Sequence, residues 1–253
     1  MKTTTLICLF LLCSIIPAWA VSSSTCYDTD AAIMLHMDGD DASTTFTDET
    51  GKTVTANGNA QIDTAQSKFG GAAGLFDGTG DYLLSADHAD WDFGTGDFTI
   101  DFWVRFNTNG AGQTFVDRNE EADFSIRFTA VSTLRLSIEG ATVVNTTWSP
   151  NTGQWYHIAA VRSGSNAYTF VDGTQLGTTG TNSSDIQGTN QIAVGVLEVS
   201  KASPLDGWID ELRLVKGTAV WTADFTAPTA AYTSCSTASA ASGIGVSGDL
   251  MVV

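Results

Sequence analysis

The stretch DFTIDFWVRF, residues 97–106, decides the fold. Phe98, Ile100, Phe102, Val104 and Phe106 fall on one side of an extended chain, and Thr99, Asp101, Trp103 and Arg105 on the other. A period of two with one apolar face is the mark of a half-buried antiparallel strand. The pattern recurs outward from there. Residues 123–128 put Phe124, Ile126 and Phe128 on one face, and residues 133–138 put Leu134, Leu136 and Ile138 against Arg135 and Ser137. Further strands are predicted at 33–37, 72–76, 82–85, 154–162, 167–171, 191–194 and 207–215, separated by turn signals at 77–80, 163–166 and the Asp172-Gly173 pair. No segment from 27 to 235 sustains an apolar period of 3.6, so the chain reads as all-β, a sandwich or barrel, and about a dozen strands in some 210 residues fit a single large sandwich best.

Charge narrows the partners. Twenty-eight acids against 11 bases give a formal charge of −17. Phosphate binding needs clustered Lys and Arg, so the balance argues against nucleic acid and against an anionic membrane surface. With 43% hydrophobic and 15% charged residues, the chain can bury a sizeable core. Lys2, the apolar run from Leu6 to Pro17 and the Ala18-Trp19-Ala20 site read as a signal peptide over 1–20, because the apolar stretch is shorter than the roughly 20 residues that span a bilayer. The expected mature chain is exported, to the extracellular space or a periplasm, with no transmembrane segment. One domain is expected over 21–235, followed by a flexible Ser/Ala/Gly-rich tail at 236–253. Cleavage leaves Cys26 and Cys235 as the cysteines, and an oxidising compartment favours bridging them.

Five strings in order carry a family resemblance: LHMDG at 35–39, SKFGGAAGLFDGTGDYL at 67–83, DWDFGTGDFTIDFWVRF at 90–106, GQWYHIAAVR at 153–162 and GWIDELRLVKGTAVWTADFTAPTAAY at 207–232. Together they resemble the laminin G-like jellyroll domains of the concanavalin A-like lectin/glucanase superfamily. The resemblance implies two sheets packed face to face with the first and last strands adjacent, which would bring Cys26 and Cys235 together. It also implies a structural Ca²⁺ between the terminal strands. Asp210 and Asp38 would fall on that position, with Gly39 lending a carbonyl. By strand parity with Trp208, Leu212 and Leu214, Asp210 is expected on the apolar side, where a carboxylate needs a cation or donors.

Catalytic patterns are not legible. A retaining glycosidase needs two carboxyls about 5 Å apart, and the nearest approach, Glu121-Ala122-Asp123, meets Ile126 where a second Glu should stand. His36 and His157 lie in predicted strands and read as hydrogen-bonded interior residues. His88, in an acidic loop, and the loop tryptophans Trp91 and Trp148 are the candidates for ligand contact, since a sugar face stacks on an indole. The expected function is a non-catalytic recognition or adhesion module for a glycan or a cell-surface protein. The alternatives are a divergent polysaccharide hydrolase and an envelope or virion-surface domain without a small ligand.

Overall fold

The computed structural model describes residues 26–27 and 30–235; the expected signal peptide (1–20) and tail (236–253) lie outside the described residues. Two antiparallel sheets face each other. The first runs Thr174–Gln175, Asn166–Val171, Trp155–Ser163, Phe98–Phe106, Asp206–Lys216, Ala73–Asp77, Gln61–Asp63, with Gly180–Thr181 added on Asn166–Val171 and Ala31–Leu35 on Asp206–Lys216. The second runs Ala141–Thr147, Thr133–Ile138, Phe124–Phe128, Gln113–Arg118, Ile192–Val194, Tyr82–Ser85, Thr53–Asn57, Thr45–Thr47. The all-β sandwich expected from the period-two runs, in the two-sheet form that the resemblance implies, is therefore present. Its terminal strands are neighbours as well, since Leu212 pairs with Leu35 and Leu214 with Ile33.

Between the sheets, the five apolar residues of Phe98–Phe106 are fully buried. They meet Phe115, Phe124, Ile126, Phe128, Leu134 and Leu136 of the opposing sheet in one continuous core. Each such side chain contributes about 1.5–3 kcal/mol by leaving water, which explains why this strand and its counterparts were readable from sequence.

The opposite face of Phe98–Phe106 departs from expectation. Thr99 and Asp101 are fully buried and Trp103 is nearly so, because residues 217–235 cross the outside of the first sheet. Trp221 and Phe225 stack on one another at 4.1 Å. With Ala159, Val161 and Phe170 they form a second, smaller apolar cluster under this strap. The strap is anchored by Val220 N–H donating to Thr99 Oγ1, Phe225 N–H to Gly173 O and Tyr232 N–H to Glu211 Oε2. Its end pairs in parallel with Cys26–Tyr27, and a disulfide joins Cys26 to Cys235.

Candidate functional site

Strand Asp206–Lys216 carries a β-bulge between Asp210 and Arg213, with Glu211 at φ 52. The extra residue inverts parity along the strand. Trp208 and Asp210 pair with Arg105 and Trp103 on the outer face, whereas Leu214 pairs with Ile100 on the core face. Continuous parity had put Asp210 among the apolar residues; the bulge corrects this by turning the carboxylate outward, toward the 68–70 loop.

There Asp210 Oδ2 accepts from the backbone N–H groups of Lys68 and Phe69, at 2.7 and 3.1 Å, while Oδ1 is buried with no hydrogen-bond partner. Desolvation pushes its pKa up. The two N–H donors oppose this, Glu211 and Asp38 add to it, and the group settles at about 7. Asp38 reaches the same loop from the end of the first strand: a Cβ on Gly70, at φ 63, would lie 1.9 Å from Asp38 Oδ2. Glu211 is spent elsewhere, Oε1 against His36 Nδ1 at 2.7 Å and Oε2 on Tyr232 N–H. Among the described residues no three Asp, Glu, His or Cys side chains converge to hold a metal. Calcium takes about six to eight oxygens, so an ion at Asp210 would draw on Asp38 and take the remainder from backbone carbonyls, Gly39 included, and water.

Beyond Asp210 the outer face opens into a groove of about 690 Å³ between the 68–69 loop and the strap. Its lining includes Lys68, Phe69, Trp103, Trp155, Asp172 and Phe225. Phe69 meets the Trp103 ring edge-on at 5.9 Å, and Lys68 Nζ lies 3.7 Å above that ring. Trp103 Nε1 is buried without a partner. Asp172 is fixed by accepting from His157 N–H at 2.8 Å. It belongs to the two-residue turn with Gly173 that the sequence marked, both residues at positive φ. Aromatic side chains, an ammonium and a carboxylate thus share one concave surface, the composition that suits a ligand with hydroxyls and an apolar face.

Deeper under the strap, Asp101 is fully buried and accepts from Arg213 Nε at 2.9 Å and from Tyr232 Oη–H, with His157 Nε2 at 3.3 Å. Burial raises its pKa, but Arg213, His157 and Tyr232 outweigh that and hold the group below its ordinary value. This network pins the strap. His157 is accordingly the hydrogen-bonded interior histidine expected, while His36 sits just past its strand against Glu211.

The aromatic candidates from sequence sit elsewhere. Trp91 is fully buried, its Nε1–H donating to Ala86 O at 2.9 Å. Trp148 is 8% exposed and packs edge-on against Phe106, Phe128 and Tyr156. Neither indole face is free to stack on a sugar. Both belong to the core because their loops fold over the ends of the sandwich. His88 is half-exposed beside a smaller depression shared with Lys52 and Asp87, and its Nδ1 accepts from Asp90 N–H. Glu121 is held by Arg127, Arg135 and Ser137, and Asp123 by Arg118 and Asn119. The groove residues were missed because they come from five separated segments. The one signal was an indole, Trp103, on the polar face of an alternating strand.

Among solved structures, the binding domain of botulinum neurotoxin DC in complex with rat synaptotagmin II matches with a TM-score of 0.59 at 14% identity, over 76% of this chain and 49% of that one. A botulinum neurotoxin type C structure, described as showing cell entry dependent on two ganglioside molecules, matches at 0.58 and 16%, over 76% and 49%. The chain thus spans about half the length of these toxin structures. Domain 4 of AbnA, a GH43 extracellular arabinanase from Geobacillus stearothermophilus, in complex with arabinotriose, matches at 0.55 and 20%, over 75% of this chain and 95% of that domain. No curated protein matches by sequence. Among the described residues no helix is long and apolar enough to cross a membrane. A Laminin G family model matches residues 77–222, more than half of the chain, and with the two-sheet jellyroll this places the chain in the concanavalin A-like lectin/glucanases superfamily.

Proposed function

We propose that this chain is an exported, non-catalytic recognition module that binds a glycan in the groove between the 68–69 loop and the strap. The observation that carries the reading is the groove itself, where Phe69, Trp103, Trp155 and Phe225 stand beside Lys68 and Asp172. Sugar binding by the arabinanase domain and ganglioside dependence of the toxin support it as functions hosted on the same fold. Glu121 and Asp123 are each engaged in ion pairs, which favours binding over hydrolysis. The disulfide is consistent with an oxidising compartment. A glycan array, run beside a reducing-sugar assay on β-glucans and alginate, tests the reading. Retention of one glycan class without release of reducing ends is the expected result; turnover abolished by Glu121→Gln would overturn it.

Calcium at Asp210 forms a separate part of the proposal, supported by the buried Oδ1 that has no partner. Melting should rise with calcium over chelator by mass action, and Asp210→Asn should remove the rise. An unchanged melting temperature in protein first stripped of metal contradicts the ion.

A further inference from the structure

Lys68 sits in the groove in the way a ligand would. Its Nζ is 3.7 Å from the Trp103 ring centroid and 5.5 Å from that of Phe69. The ammonium is half-buried and held on an indole face, with the Asp172 carboxylate in the same groove lining, the arrangement by which proteins recognise cationic ligands. A flexible stem carries it there. The Lys68 backbone N–H is secured to Asp210 Oδ2, so the stem can swing into solvent while the loop stays in place. One buried polar atom at the site would remain without a partner, Trp103 Nε1 on a residue 5% exposed.

Extending the glycan reading above, on which it rests, we propose that the groove recognises an amino sugar: a pyranose whose free ammonium replaces Lys68 Nζ over Trp103, with Asp172 as counter-charge. The charge of the whole molecule points the same way. With 28 acids and 11 bases it attracts cationic glycans and repels uronates and sulfated chains, and Lys68 is the one base among the residues lining the groove.

Calorimetric titration of the folded protein, in chelator so that no divalent cation competes, tests this with three probes: a fully deacetylated chitooligosaccharide, its N-acetylated counterpart and spermidine. The deacetylated sugar should bind at least tenfold more tightly than either of the others. Lys68→Met, which removes the internal competitor and keeps the Lys68 N–H, should tighten it severalfold. Asp172→Asn, which keeps the acceptor for His157 N–H, should weaken it. Melting curves confirm that both variants fold. Equal or tighter binding of the acetylated sugar overturns the amino-sugar assignment while leaving the glycan reading intact. Equal binding of spermidine overturns it in favour of general attraction to an acidic protein, and weaker binding by Lys68→Met overturns it by making Lys68 a wall of the site. Binding of no sugar overturns the glycan reading too.

Discussion

A methyl group added at Gly173 would lie 2.0 Å from Phe225 O, and Gly173 already stands at φ 81. Both facts come from one cause: the Asp172-Gly173 turn is the seat on which the strap rests, with Phe225 N–H donating to Gly173 O at 2.8 Å. Gly173→Ala should cost about 1–3 kcal/mol through the disallowed conformation and the collision, and because Phe225 lines the groove it should weaken ligand binding as well. Denaturant unfolding checks the first effect. Trp148→Ala offers the contrast. It empties a core position against Phe106 and Phe128, so a loss of about 3–5 kcal/mol is expected, with affinity unchanged in the molecules that remain folded. At this scale sequence reading found the turn and mistook the tryptophan, because an indole in a loop looks the same from sequence whether the loop folds inward or outward.

Among the elements, the strap from 217 to 235 was the least legible. Its residues show no period because most of their backbone follows the sheet surface without joining its ladder, and its anchors are a hydroxyl, a carboxylate and the Gly173 carbonyl of a turn. The strands with one apolar face, 98–106, 124–128 and 133–138, were found within a residue, whereas Thr45–Thr47, Thr53–Asn57 and Ala141–Thr147 were missed, being mostly polar and partly exposed. The bulge at Glu211 escaped because no glycine marks it. The strap predicts an acid-sensitive fold. Asp101 titrates below its unfolded value of about 3.9, so its contribution is complete above that pH and is lost as pH falls through the folded value. Acid titration followed by tryptophan fluorescence should show unfolding beginning below about pH 4. Asp101→Asn should destabilise at pH 7 by about 3–5 kcal/mol, since it removes the buried carboxylate that accepts from Arg213 Nε, and should flatten the acid limb. An acid limb as steep in the variant as in the wild type would assign the transition to other carboxylates.

For the molecule as a whole, the 209-residue separation between Cys26 and Cys235 makes the disulfide a clip on nearly the entire described fold. Loop-closure entropy gives it an upper bound of roughly 5 kcal/mol. Its local effect follows from position, because it ties down the strap whose middle walls the groove. Reduction should lower the melting temperature, and proteases should then cut first within 217–235; first cuts in the 107–112 or 195–205 loops would show that the strap does not depend on the bridge. The central claim, that ligand is held between the 68–69 loop and the strap, is tested most directly by amide chemical-shift mapping during titration with a glycan retained on the array. The account predicts that the largest shifts fall at Lys68, Phe69, Trp103, Trp155, Asp172 and Phe225. Shifts centred on the His88 depression or on the outer face of the Phe124–Phe128 and Thr133–Ile138 strands, with those six unmoved, would contradict it.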